Sequence, residues 1–181
     1  SDLLQVNCII WVEGASDRIY IKRWLELLAP EFVEDHHYKF LYYANIYSFA
    51  DEAIETEFES LFIINKNIVF VQDSDKSSDS DKLSEKKARL AALCNQNGGI
   101  AWTTEGREIE NYLTSSILRQ AWKKRFEFGL YDEIEKKLPE ELSKNGMRKI
   151  KIGKVDIAKR VVPFLGGKDI KGDLKNHLVE I

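Results

Sequence analysis

Two aspartates directly follow an apolar run near the middle of the chain. The run is Ile68-Val69-Phe70-Val71, and Asp73 and Asp75 come after it with Ser74 between them. An apolar, β-branched run of this length predicts a buried strand that ends at the polar residues. Because residues i and i+2 of an extended chain point the same way, we expect both carboxylates at the rim of a sheet. Two such charges repel unless a proton or a cation lies between them, so the pair could hold a metal ion. The alternative is a solvated turn, where Asp and Ser are common.

Acidic residues recur where two other predicted strands end. Strand 6–12 is followed by Glu13, with Asp17 in the first turn of the next helix. Strand 100–103 leads to a further acidic group, Glu105, Glu108 and Glu110. Ligands of open α/β sheets bind at the carboxyl ends of the strands, so we expect these acids to share one edge with the aspartate pair. Each acid also has a simpler interpretation: a helix cap, a complement to the helix dipole, or a solvated ion pair.

The donor types favour hard cations. The three histidines have no ligand spacing, and Cys8 and Cys94 form neither a zinc pattern nor a disulfide framework. Clustered carboxylates then favour Mg²⁺ or Mn²⁺, as one ion or two, and such ions commonly serve phosphate chemistry. That chemistry also needs a protein cation for charge developing on phosphorus. Lys154 is the foremost candidate, and Lys76 is nearer in sequence to the aspartates.

Strands and helices alternate as far as residue 103, which predicts a parallel sheet with right-handed crossovers. The predicted strands are 6–12, 38–43, 67–72 and 100–103, and the predicted helices between them are 17–28, 48–58 and 82–95, the first capped by Ser16. Short helices are expected at 117–126, 131–138 and 155–162, with breaks at Gly129, Pro139, Gly146 and 166–167. The predicted fold class is α/β with a C-terminal helical extension.

Size and composition are those of one globular domain. The chain has 181 residues, of which 44% are hydrophobic and 31% charged. It contains no signal peptide and no apolar run near the ~18 residues of a membrane span, so we expect a cytoplasmic protein. Its abrupt start suggests a fragment of a longer protein.

Basic residues concentrate near the carboxyl terminus. The net charge of −3 argues against a sequence-independent nucleic-acid coat, but segment 144–175 has ten basic and three acidic residues, a charge of +7. This segment fits contact with a polyanion, and a solvated lysine-rich surface is the alternative.

Three ordered blocks together resemble the Toprim domain and, within it, the nucleases of the OLD (overcoming lysogenization defect) family. They are residues 10–20 (IWVEGASDRIY), 73–76 (DSDK) and 106–112 (GREIENY). The resemblance covers about residues 5–165. It implies a Toprim core at 1–113, with a four-stranded parallel sheet flanked by helices, and a helical extension at 114–181 that carries the basic segment and a late lysine.

The resemblance also implies roles for individual residues. It implies Mg²⁺ or Mn²⁺ ions, two in number, with the ligands Glu13, Asp17, Asp73, Asp75, Glu108 and Glu110. The implied catalytic residues are Glu13, Asp73 and Lys154. Nucleic-acid contacts are expected from Lys76, Arg107, Lys149, Lys151, Lys159 and Arg160.

The implied activity is metal-dependent endonucleolytic hydrolysis of phosphodiester bonds in DNA, with RNA as a second substrate, in antiviral defence. The implied partners are nucleic acid and an ABC-type ATPase domain of the same longer protein, through which the protein would oligomerise. No GxxxxGK[ST] loop occurs, so this chain should not hydrolyse ATP. Two alternatives stay open: a non-catalytic Toprim module that binds nucleic acid or a partner, and a haloacid dehalogenase-like phosphatase with Asp73 as nucleophile.

Overall fold

The computed structural model describes residues 6–43, 51–144 and 151–181. Lys149 lies outside these ranges. The strands are β1 (Cys8–Val12), β2 (Tyr38–Tyr42), β3 (Ile68–Gln72) and β4 (Ile100–Thr103). The helices are α1 (Ala15–Leu28), α2 (Asp51–Ile64), α3 (Glu85–Gln96), α4 (Ser115–Trp122), α5 (Ile134–Ser143), α6 (Lys154–Val161) and α7 (Gly172–Glu180). Short 3-10 helices are Ile109–Tyr112, Val162–Phe164 and Gly167–Asp169.

The four strands form one parallel sheet in the order β2-β1-β3-β4. The α/β class, the parallel sheet and the flanking helices predicted from the sequence are therefore confirmed. In register, Trp11 of β1 pairs with Phe70 of β3, and Gln72 of β3 pairs with Thr103 of β4. The carboxyl ends of β1, β3 and β4 consequently lie side by side along one edge of the sheet.

Both faces of the sheet are covered by helices, as the all-buried pattern of β1 and β3 requires. Ile10 and Val12 face a hydrophobic cluster that includes side chains of α1 and of α4 to α7. Ile9 and Trp11 point to the opposite face, where they join a second cluster with α2 and α3. The helices after residue 114 thus share a core with α1. In the described part of the chain, no helix has the length and apolar character needed to cross a membrane.

Several predicted boundaries were wrong. Gly14, and not Ser16, precedes the first turn of α1, and Ser16 is buried inside that helix. Residues 61–64 continue α2 because Leu61 and Phe62 pack inward from a helical face. Pro139 lies inside α5 and does not break it. Helix α7 was missed, although Leu174 and Leu178 form a buried i, i+4 pair.

Candidate active site

The first acidic side chain at the edge is Asp17, which is buried in the first turn of α1. Its Oδ2 accepts a hydrogen bond from the Gly14 N–H at 2.8 Å. This bond ties the loop after β1 to the helix and satisfies one of the donors at the helix start. Glu13, at the end of the same strand, is exposed at the rim of the site.

Asp73 comes one residue after β3 and is held from two sides. Its Oδ1 accepts the Ile109 N–H at 2.8 Å, and its Oδ2 lies 3.4 Å from the Lys154 Nζ. The next residue, Ser74, is buried and donates to the Gly106 carbonyl at 2.6 Å. The Ser74 N–H donates to the Thr104 hydroxyl at 2.9 Å. The loop after β3 is therefore fixed to the loop after β4.

Glu108 and Glu110 belong to that second loop and to the 3-10 helix that follows it. Glu108 is buried, and its Oε1 accepts the Ile134 N–H at 2.8 Å. Its backbone N–H donates to Asn111 Oδ1 at 2.8 Å, which closes the start of the 3-10 helix. Glu110 is fully buried, and neither of its carboxylate oxygens has a hydrogen-bond partner among the described residues.

Lys154, the first residue of α6, lies beside three of these carboxylates. Its Nζ is 3.0 Å from Glu108 Oε2, 3.4 Å from Asp73 Oδ2 and 3.6 Å from Glu110 Oε2. The lysine side chain is still 31% exposed. The lysine side chain is therefore half-buried, whereas the three carboxylates are nearly enclosed.

The site holds more carboxylates than positive charges, and the pKa values of three carboxylates are raised. Burial raises the pKa of Asp17 to about 6, of Asp73 to about 7 and of Glu110 to about 8. The attraction of Lys154 lowers each value, and repulsion from neighbouring carboxylates raises it. Burial alone would lower the pKa of Lys154, but attraction to Glu110, Asp73 and Glu108 raises it overall. The lysine consequently stays charged.

Asp75 does not present its carboxylate together with that of Asp73. Strand β3 ends at Gln72, and Asp75 has a left-handed backbone with φ of 55°. The alternation of an extended chain therefore stops before Asp75. Its carboxylate forms an ion pair with the buried Lys87 of α3.

The basic residues expected to contact nucleic acid fall into two groups. Lys151 and Lys159 are exposed, and Lys76 is half-buried on the loop after Asp75. Arg107 instead donates to the carbonyls of Asp75 and Lys76 at 3.3 and 3.4 Å. Arg160 donates to the Ala121 carbonyl at 3.0 Å, and its guanidinium lies 5.3 Å from the centre of the Trp122 ring. The guanidinium groups of both arginines therefore donate to backbone carbonyls of the protein itself.

No family model matches the sequence, and no curated protein matches it. Among solved structures, the chain is similar to the C-terminal region of the Xanthomonas campestris pv. campestris OLD protein, with a TM-score of 0.55 and 13% sequence identity. The match covers 100% of this chain and 94% of that chain. This similarity shows the fold alone.

The donor set fits hard divalent cations chemically. Asp17, Asp73, Glu108 and Glu110 offer only carboxylate oxygens, and Glu110 is buried without a hydrogen-bond donor among the described residues. A bound cation would stabilise the ionised forms that burial disfavours. Within the described ranges, no three Asp, Glu, His or Cys side chains already surround one point as ligands would. Ion binding therefore requires carboxylate rotation or movement of the Lys154 ammonium.

Sequence reasoning missed several residues that shape the site. Lys87 belongs to a charged helix, and nothing in the sequence distinguishes it from the neighbouring Lys86. Thr104 and Asn111 act through hydrogen bonds between loops, which no periodicity reveals.

Proposed function

We propose that this chain is a nuclease domain that hydrolyses phosphodiester bonds, with DNA as the substrate and Mg²⁺ or Mn²⁺ as the cofactor. One observation carries the proposal: buried carboxylates that follow β3 and β4 pair with the half-buried Lys154, and the buried Asp17 after β1 interacts electrostatically with the same lysine. Several buried carboxylates close together are unfavourable for stability, and such clusters of groups with shifted pKa values are characteristic of functional sites.

Asp17, Asp73, Glu108 and Glu110 would hold the ions, with Glu13 at the rim. Bound ions would supply activation of water and neutralisation of the phosphate. Asp73 is oriented by the Ile109 N–H, so its other oxygen is left for Lys154 or an ion. The Lys154 ammonium can donate to a non-bridging phosphate oxygen and stabilise charge that develops there.

Lys76, Lys151 and Lys159 would extend this site towards a polyanion. Lys151 lies just before α6 and Lys159 lies in its last turn, while Lys76 lies on the loop that carries Asp73. They would contact phosphates without reading sequence. The structural similarity to the C-terminal region of an OLD protein supports a relation to that family, and with it an ATPase region as a partner.

The test is cleavage of supercoiled plasmid with Mn²⁺, comparing the wild-type chain with Asp73→Asn. Asparagine keeps the side chain's size and can still accept the Ile109 N–H, so loss of nicking would report the lost charge. Asp79→Asn, an exposed residue of the same loop region, is the matched control and should nick normally. Full activity of Asp73→Asn would rule out this site.

A non-catalytic binding module is the second candidate. The ion pairs of Lys154 with Glu108 and Asp73 favour it, because such pairs can stabilise a fold without any chemistry. Calorimetric titration with Mn²⁺ separates the two functions. A nuclease site should bind the ion in a manner that Asp73→Asn weakens, whereas a non-catalytic module should bind none.

A further inference from the structure

Two fully buried polar groups near the site have no hydrogen-bond partner among the described residues. They are the Tyr20 hydroxyl and the Glu110 carboxylate, and both residues are 0% exposed. Buried polar groups in folded proteins almost always have partners. The Tyr20 hydroxyl can donate a hydrogen bond and the Glu110 carboxylate can accept one, so one interaction could satisfy both groups.

The fold puts Tyr20 on the side of α1 that faces the carboxylates. Tyr20 lies one turn after Asp17, so both side chains emerge from the same helix face. The Tyr20 ring stacks on Trp24 with centroids 5.6 Å apart and planes 20° apart. Trp24 in turn packs edge-on against Tyr112, in the 3-10 helix that carries Glu110. These ring contacts connect Tyr20 to the 3-10 helix that carries Glu110.

The electrostatic environment of Tyr20 makes its hydroxyl a donor. Burial raises the pKa of Tyr20, and the charges of Glu110, Glu108 and Asp17 raise it further, with Glu110 contributing most of the three. The phenol thus keeps its proton at neutral pH. A protonated phenol can supply the hydrogen-bond donor that the Glu110 oxygens lack among the described residues.

We propose that Tyr20 is a positioning residue of the candidate active site, whose hydroxyl donates to the Glu110 carboxylate through one water or after a small rotation of either side chain. The bond would fix one Glu110 oxygen and leave the other directed at a bound cation. This inference rests on the proposed metal-dependent function. Outer-shell partners of this kind typically change metal affinity by about 10- to 100-fold when removed.

The experiment compares Tyr20→Phe with Tyr38→Phe in the full chain. Tyr38 is equally buried in the same hydrophobic cluster but lies on β2, away from the acidic loops. For each variant, calorimetry gives the Mn²⁺ affinity, thermal unfolding gives the stability, and plasmid nicking gives kcat and KM. Phenylalanine keeps the ring stack, so both variants should fold.

We expect Tyr20→Phe to bind Mn²⁺ about tenfold or more weakly and to lose kcat, with an unchanged KM for DNA and no loss of stability. Tyr38→Phe should match the wild type in Mn²⁺ affinity. Wild-type Mn²⁺ affinity in Tyr20→Phe, with an active wild-type protein, would show that Tyr20 is only a core aromatic. A wild-type chain that neither binds Mn²⁺ nor nicks DNA would instead overturn the proposed function, and this inference with it.

Discussion

Replacing Glu110 with glutamine should stabilise the metal-free protein at alkaline pH. Glu110 is fully buried, and in the described structure only the Lys154 ammonium, at 3.6 Å, lies near its carboxylate as a counter-charge. Burial raises its pKa from 4.5 to about 8. The folded protein therefore holds a proton on Glu110 that the unfolded chain releases, over the interval between those two pH values.

The sign and the size of the effect follow from this difference. Where the folded state binds the extra proton, stability falls as pH rises, and the loss is complete once pH passes the folded-state pKa of Glu110. At 1.36 kcal/mol per pKa unit, the wild-type protein loses at most about 5 kcal/mol through this group. Glutamine does not titrate, so Glu110→Gln should lack that slope. The variants should be similar at pH 4 and differ by a few kcal/mol at pH 8.5.

Denaturant unfolding in the presence of a chelator measures this difference. The free energy of unfolding is compared at pH 4, 6.5 and 8.5 for the wild type, Glu110→Gln and Glu59→Gln, the last an exposed glutamate of α2. Glu59→Gln should follow the wild type at every pH. Added Mn²⁺ should stabilise the wild type and leave Glu110→Gln almost unchanged. If Glu110→Gln destabilises the protein equally at all three pH values, the reasoning about its buried charge is wrong.

Three further outcomes can be checked separately. Lys154→Met should reduce plasmid nicking by about 10²–10³-fold if the ammonium stabilises transition-state charge, and a smaller loss in kcat would contradict that role. Gly106→Ala should cost about 1–3 kcal/mol in thermal unfolding, since the new Cβ would lie 2.6 Å from the Leu130 carbonyl oxygen. Asp173→Ala should cost about 1–2 kcal/mol, because the Asp173 carboxylate accepts the Tyr112 hydroxyl; unchanged stability would show that this bond contributes nothing.

The sheet could be predicted because its strands are bounded by unambiguous signals. β3 is a continuous apolar run with acids after it, and a strand buried on both faces has this pattern. The acids at the strand ends could be placed on one edge because parallel strands all end there. The strand order and register, however, follow from the overall topology more than from local sequence. The positions of Asp17 and Glu108 relative to Asp73 depend on that topology.

Other features depend on tertiary contacts that no local pattern encodes. The left-handed backbone at Asp75 accompanies its hydrogen bond to the Arg107 carbonyl, from a loop 32 residues away. Pro139 is tolerated in α5 because Leu138 and Leu142 anchor the helix on both sides of it. In each case packing outweighs a propensity that is worth only a few kcal/mol.

Three departures from local rules occur around the same carboxylates. Lys154 places a positive charge in the first turn of α6, where the helix dipole disfavours it. Asp75 adopts a backbone conformation that favours glycine, and Glu110 is buried without a hydrogen-bond donor among the described residues. Each departure carries a local cost in stability. Natural sequences keep such costs mainly where function requires them, so their coincidence at one sheet edge supports a chemical role for this cluster independently of any resemblance to other proteins.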